Sequence, residues 1–364
     1  MPHYRVKLFE ALREELPKVG CELILAYGMP TSAELSKGDS AEISWAERLP
    51  TRYFLGGRIC WQPFSHLMNA THIAVLTPEN KLINNLGAQL LQRHSKIVLW
   101  GHGANLQGDP TSWRERMKRW MARRSDWWLG YTEISRALIG RTGFPAERVT
   151  VLNNAVDTVE MASMRASLTR ASIAQARARW HLRGRHVGVF VGSLYEEKRI
   201  GFLLEAASAL RSCIPDFELL VIGSGPLTTQ VEAFCRTHEW AHQLGMCKGR
   251  EKVEALATAR VMLNPGLVGL GILDSFVCGV PMVTTDCGLH SPEVAYLASG
   301  VNGWMTPNTV GDFVDAAAAV LSDDAVHAGL QRGCAVSASA YTVENMAKNF
   351  ARGIRQCLDA PSWR

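Results

Sequence analysis

No stretch of this chain stays apolar for the roughly 18 residues that a membrane-spanning helix needs. The opening Met1-Pro2-His3-Tyr4-Arg5 is not followed by the apolar core of a secretory signal. Nine cysteines lie scattered from Cys21 to Cys357 without a Cys-x-x-Cys pair. Their odd count and spacing fit neither a disulfide framework nor a zinc site, and thiols of this kind suit the reducing cytoplasm. No Asp-x-Asp motif ends a strand, so neither a metal nor a cofactor is expected. No internal repeat is visible. Net charge is also sparse, +5 over 364 residues, so electrostatic function must come from local clusters.

What is present is length and apolar patterning. At 364 residues and 47% apolar composition the chain exceeds one ordinary core, and two domains follow. Short buried strands are read at 23–27, 73–76, 97–100, 128–131 and 149–152, then at 187–191, 217–222, 261–263 and 282–285. Helical patterns alternate with them at 5–16, 82–94, 135–141, 202–211, 228–238, 251–259 and 272–278. Residues 31–60 read as polar and irregular, and 301–305 as a hairpin-like turn. Further helices are read at 310–321 and 343–358. Strand–helix alternation in both halves predicts parallel sheets wound on both faces. The expected division is 1–165, 166–342 and a terminal helical piece, 343–364, that could pack back on the first domain.

The most informative stretch runs from Asn264 to Val294. A buried run ends at Asn264-Pro265. Gly266, Gly269 and Gly271 follow within six residues, then a short helix broken by Gly279 and Pro281, then a second buried run. Strand, glycine loop, helix and strand form a βαβ unit whose loop lies at a strand's carboxyl end, where open α/β sheets bind ligands. Glycines let backbone N–H groups approach an anion, and a helix start adds partial positive charge. A diphosphate held near Gly269, Leu270 and Gly271 is therefore one reading. Three glycines closing a tight turn without a ligand is the other.

This segment resembles the donor-site signature of family 4 of the retaining glycosyltransferases. The Gly279-Val280-Pro281 turn and the later Ser291-Pro292-Glu293 match it. The resemblance covers about 1–345, densely over 187–305. It implies an α/β GT-B architecture, two Rossmann-like doubly wound domains facing across a cleft, here without the family's first N-terminal strand. It also implies transfer of a sugar from a nucleotide diphosphate donor, with retention, to a saccharide or lipid-linked saccharide. Two acids of the family pattern are altered. Gly266 stands where an acid touches the donor sugar, and Asp274 stands where a glutamate touches the nucleotide ribose. Asp274 could reach a ribose with one methylene less, or simply cap its helix.

The other strand ends carry further candidates. After 187–191 comes Gly192-Ser193-Leu194, with Lys198 at the position where the family clamps the diphosphate with a lysine. Ser193 replaces the family's arginine, and Arg199 could compensate. Gly225, in Gly223-Ser224-Gly225-Pro226 after 217–222, is a weaker nucleotide signal, and 245–248 would lie near the base in the resembling enzymes. His102, between Gly101 and Gly103 at the end of 97–100, sits where a group can meet substrate. In the resembling enzymes such a histidine lies beside the donor sugar; the plain alternative is a surface loop histidine. Asn153 to Asp157 resembles the family's exit from the first domain.

Residues 113–128, WRERMKRWMARRSDWW, set six Arg or Lys against one Glu before Asp126 and interleave them with Trp and Met. Indoles and cations on one helix suit an anionic membrane surface. A helix docked on its own domain fits equally, and single-stranded nucleic acid fits less well. The leading reading is thus a cytoplasmic transferase, peripheral on a membrane if this helix meets lipid, in surface polysaccharide assembly. A sugar-nucleotide epimerase of the same architecture and a non-catalytic GT-B scaffold are the alternatives. The departures at Gly266 and Ser193 and the absent first strand favour the scaffold.

Overall fold

A computed structural model describes residues 1–31, 41–91, 94–103 and 113–363. They form two compact units, Met1–Asp157 with Thr342–Arg364, and Thr158–Tyr341. Among the described residues no helix is long and apolar enough to cross a membrane.

The first unit is built on a parallel sheet of four strands in sequential order, β1 (Ile73–Leu76), β2 (Lys96–Gly101), β3 (Trp127–Gly130) and β4 (Val149–Val151). Helices α1 (Val6–Lys18), α2 (Ile83–Leu91), α3 (Trp113–Ala122) and α4 (Glu133–Gly140) accompany it. Helix α1 buries Leu8, Leu12 and Leu16, a one-face stripe at four-residue spacing. Trp127 and Trp128 are both buried in β3, and their indole N–H groups donate to Thr150 Oγ1 and the Ala122 carbonyl, each at 2.9 Å. The basic stretch 113–128 is therefore not one amphipathic surface: its last two tryptophans belong to the core.

The C-terminal helix, Val343–Asp359, belongs to this unit. Lys96 Nζ donates to the carbonyls of Cys357, Leu358 and Ala360 at 2.8, 2.9 and 2.5 Å, placing a cation on the negative end of the helix dipole. Gly353 lets the helix approach β3 and β4, because a Cβ there would lie 2.7 Å from Leu129 and 2.8 Å from Thr150.

One early element differs from expectation. Only Ala26–Tyr27 of 23–27 is a strand, it pairs with Glu47–Arg48 outside the main sheet, and Ile24 is half exposed. A continuous apolar run signals burial only if a sheet edge is there to receive it. Arg52–Phe54 and Ile59–Trp61 form a short hairpin within the stretch read as irregular. The helix read over 82–94 is Ile83–Leu91, and 92–93 lie outside the described residues.

The second unit has six parallel strands: β5 (His186–Val191), β6 (Phe217–Ile222), β7 (Ala241–Gly245), β8 (Val261–Leu263), β9 (Met282–Thr285) and β10 (Gly303–Thr306). Their order is β7-β6-β5-β8-β9-β10. The helices are α5 (Val159–Ser167), α6 (Arg170–Arg179), α7 (Ile200–Cys213), α8 (Thr228–Thr237), α9 (Gly249–Thr258), α10 (Ile272–Cys278), α11 (Val310–Ser322) and α12 (Asp324–Ala340). Phe190, Phe217, Leu219, Val221, Val261, Leu263 and Val283 join Leu203, Leu210 and Phe313 of α7 and α11 in one buried cluster. Near-continuous apolar strands are what a sheet covered by helices requires.

Two corrections fall here. The segment expected as a hairpin-like turn supplies β10, which runs parallel to β9 with Met282 opposite Gly303. Gly303 is enforced by that pairing, since a Cβ would sit 2.4 Å from the Met282 carbonyl oxygen. The Ala- and Ser-rich α12 escaped the periodicity reading. Its start is set by Asp323, whose carboxylate accepts from the N–H groups of Ala325 and Val326.

Candidate functional site

The sheet of the second unit reverses its winding between β5 and β8: β6 and β7 extend to one side, β9 and β10 to the other. Loops leaving the carboxyl ends of the two strands at such a point diverge and open a crevice. Here they are 192–199, after β5, and 264–271, after β8. They carry six of the candidate residues: Ser193, Lys198, Gly266, Gly269, Leu270 and Gly271.

The two loops are tied together. Leu267 N–H donates to the Glu197 carbonyl at 2.8 Å, and Lys198 Nζ donates to the Leu267 carbonyl at 2.5 Å. Gly266 lies so close to this backbone that a Cβ would stand 2.4 Å from Glu197 O and 2.5 Å from Lys198 C. No side chain fits at 266 without displacing main chain. The position matched to an acid in the resembling family is thus closed by the neighbouring loop, and Gly266 is a packing residue.

His290, absent from the sequence expectations, holds the loop from the other side. Val268 N–H donates to His290 Nδ1 at 3.1 Å, while Nε2 lies 2.7 Å from the Thr285 carbonyl. An accepting Nδ1 and a donating Nε2 describe a neutral ring, and burial lowers its pKa in the same direction. Ser291 N–H donates to the Val268 carbonyl at 2.9 Å. Only tertiary contact links Val268 to residues 22 and 23 positions on, and no local pattern announces it.

Three consecutive backbone donors follow. Among the described residues, the N–H groups of Gly269, Leu270 and Gly271 make no hydrogen bond within the chain. The carbonyls of Gly269 and Leu270 instead accept from Ile272 and Leu273 at the start of α10. Unspent N–H groups at a helix start are donors for an anion. Lys198 stands beside them, with its pKa lowered to about 8 by burial. An anion arriving there would restore the ammonium form.

The remaining candidates have other placements. Ser193 is exposed on a turn whose Leu194 exchanges backbone hydrogen bonds with Ser224 and Leu227. Gly225 packs against Leu194, where a Cβ would lie 2.5 Å from its carbonyl oxygen, and donates its N–H to Thr228 Oγ1 at 2.9 Å. Its glycine is needed for loop-to-loop approach, and its amide is already spent. Arg199 takes the left-handed conformation, φ 56°, and its Nη1 donates to Pro265 O, Thr285 Oγ1 and Asn308 Oδ1 at 3.1, 2.9 and 2.6 Å. That guanidinium staples the loops after β8, β9 and β10, so it does not stand in for an arginine at Ser193.

Asp274, in α10, forms an ion pair with Lys252 of α9 at 2.6 Å, both side chains mostly covered. Burial raises its pKa, and Lys252 opposes the rise. His102 belongs to the first unit. It is exposed at the end of β2, and its ring meets Tyr131 edge-on at 4.5 Å. Buried Arg5 ties that strand-end region together by donating to Asn154 Oδ1 at 2.9 Å and Tyr131 Oη at 3.3 Å.

Residues 185–323 match the family model described as Glycosyl transferases group 1. Among solved structures the chain is similar to HepE of Anabaena in complex with UDP, at 14% identity over 97% of each chain with a TM-score of 0.68. It is similar also to a glycosyltransferase from Rickettsia africae ESF-5, at 11% identity over 98% of this chain and 95% of that one, TM-score 0.68. A third, the lipopolysaccharide outer core galactosyltransferase WaaB in its apo form, is 19% identical over 80% and 77% of the two chains, TM-score 0.58. No curated protein matches the sequence. The fold is that of the GT-B glycosyltransferases, and the second unit carries the group 1 family segment.

Proposed function

We propose that this protein transfers a sugar from a nucleotide diphosphate donor to an acceptor hydroxyl. The carrying observation is the row of three unspent N–H groups, Gly269 to Gly271, beside Lys198 at the switch point of a six-stranded parallel sheet. In the reaction the bond between the sugar's anomeric carbon and the diphosphate breaks, a bond to the acceptor oxygen forms, and the hydroxyl proton passes to the departing diphosphate. Charge develops on the departing diphosphate. Fixed amide donors and a lysine ammonium aimed at that charge lower the barrier most directly. The UDP complex of HepE supports a nucleotide donor.

The finer parts of the proposal are retention at the anomeric carbon, His102 beside the donor sugar, and a saccharide or lipid-linked acceptor used in surface polysaccharide assembly. WaaB, described as a lipopolysaccharide galactosyltransferase, supports that pathway class. Met117 and Trp120 of α3 are 48% and 42% exposed beside exposed Arg116 and Arg123, which supports contact with anionic lipid. Sedimentation with phosphatidylglycerol vesicles, lost in Trp120→Ser, would support it; equal binding to neutral vesicles would not.

The test of the main reading is thermal unfolding against a panel of nucleoside diphosphates and their sugars. The matching base should raise Tm by a few degrees, as expected for a ligand that binds only the folded state, and Lys198→Ala should remove the rise. No shift with any member would sink the donor-site reading. Binding without turnover would favour a non-catalytic scaffold, the reading to which the closed position at Gly266 lends weight.

A further inference from the structure

The free amides from Gly269 to Gly271 begin one residue after Val268, whose backbone is pinned at both polar atoms. Its N–H donates to His290 Nδ1 at 3.1 Å, and its carbonyl accepts from the Ser291 N–H at 2.9 Å. The other ring nitrogen, Nε2, lies 2.7 Å from the carbonyl of Thr285, the last residue of β9. These partners fix the proton. An amide N–H only donates and a carbonyl only accepts, so Nδ1 is bare and Nε2 carries the hydrogen. A second proton on the ring would set an N–H at Nδ1 against the N–H of Val268. Donor would then face donor, and that half of the clamp would open.

The charged and titratable groups that face the ring come from two loops. Lys198 and Arg199, after β5, oppose a positive ring, whereas Asp286, after β9, favours one. Cys287 Sγ lies 3.6 Å from Nε2. Burial, with a smaller contribution from the two cations, holds the pKa of His290 below the ordinary 6.5 against the pull of the Thr285 bond and Asp286.

We infer that His290 is a positioning residue whose neutral ring sets the amide row for the donor diphosphate, so that acid, by protonating the ring, releases the loop and weakens donor binding. The inference rests on the nucleotide-donor reading above. Its sign is fixed: the loop is held while the ring is neutral, and the hold is lost as pH falls below 6.5. Lys198, at about 8, is already charged over that range and does not contribute to the change.

The experiment is calorimetry of UDP-glucose binding to the full chain at pH 7.5 and pH 5.0. A diphosphate esterified at both ends does not titrate there, unlike a terminal phosphate at about 6. Affinity should fall about tenfold, within the tenfold per pH unit that one proton allows. His290→Asn places an amide oxygen that can accept from Val268 and cannot titrate, so its affinity should stay nearly constant between the two pH values. No fall in the unmodified protein, or a fall that persists in His290→Asn, would overturn the inference. Should His290→Asn fail to fold, amide hydrogen exchange of the unmodified protein decides. Protection of the Val268 N–H should drop at pH 5.0 relative to that of Leu267, whose bond to the Glu197 carbonyl has no titrating partner. A constant ratio refutes the proposal. If UDP-glucose and other nucleotide sugars all fail to bind at pH 7.5, the donor-site reading itself fails. Binding that ignores pH removes only the role of His290.

Discussion

The two ends of one sheet in the second unit are built to opposite rules. At the amino end, buried Glu218 of β6 accepts from the N–H groups of Arg183 (2.6 Å) and Gly184 and meets His242 Nε2 at 2.9 Å. Next to it Asp216 pairs with His186 Nδ1 at 2.6 Å and accepts from the Arg185 N–H, and those bonds hold its pKa below the usual carboxylate range despite burial. Charge there is matched partner for partner, buried at Glu218 and half exposed at Asp216. At the carboxyl end, three N–H groups go unspent and a lysine is displaced from its ordinary pKa. The same strands run through both, so the difference lies in the loops. One end closes on itself, and the other, among the described residues, leaves backbone donors unspent.

This contrast can be broken most strongly at the closed end. Glu218→Ala strands two backbone donors and a histidine, and should cost about 3 kcal/mol of stability. Chemical denaturation should show that loss, while nucleotide affinity in the folded protein stays unchanged. An affinity loss of comparable size would mean the two ends are coupled.

Gly266→Glu comes next. Its Cβ would stand 2.4 Å from the Glu197 carbonyl oxygen, so the loop must shift. We expect a loss of about 1–3 kcal/mol, typical of overpacking, together with loss of the nucleotide-induced rise in Tm. Restored or tighter binding would show that the loop yields and that an acid is tolerated.

Lys198→Met should do the reverse of Glu218→Ala. Nucleotide diphosphate affinity should fall roughly 10- to 100-fold, about 1.4–2.8 kcal/mol, while stability near pH 7 holds or rises. The sign follows from its depressed pKa. A lysine at about 8 in the folded protein, against 10.5 ordinarily, penalises folding in full below pH 8, and the penalty is relieved as pH rises from about 8 to 10.5. Urea denaturation at pH 7 and pH 10 checks both statements. A large stability loss at pH 7 would make Lys198 a packing residue.

The smallest expected effect is a fractional proton. Near pH 8.5 Lys198 is partly neutral, and an arriving diphosphate should draw a proton onto it. Calorimetry of UDP binding in two buffers of different ionisation enthalpy should show uptake of less than one proton. Equal heats in both buffers would place the anion away from Lys198.

Much of this organisation was readable before any coordinates. Helix α10 falls exactly on 272–278, and β8 and β9 fall on 261–263 and 282–285, because apolar runs punctuated by glycine and proline are local signals. The glycine loop at 266–271 was legible for the same reason. Other readings failed where the deciding contact lay elsewhere. The run at 23–27 is as apolar as a core strand, yet no main-sheet edge receives it. Residues 301–305 carry turn residues, yet 303–306 complete the sheet beside a strand about twenty positions earlier.

The sequence by itself determined the alternation of strands and helices, the placing of glycine-bearing loops at strand ends, and the candidacy of Lys198. These rest on periodicity and on residue types whose backbone freedom or charge is intrinsic. Tertiary structure alone decided what each candidate touches. It made Gly266 a contact surface for Glu197, turned Arg199 into a staple reaching Asn308, set His290 against Val268, and joined Lys252 to Asp274. Each of those pairings spans from about 20 to more than 100 residues. Hydrogen bonds and close packing act over a few ångströms of space, and the chain order of two residues says nothing about that distance until the fold has closed it.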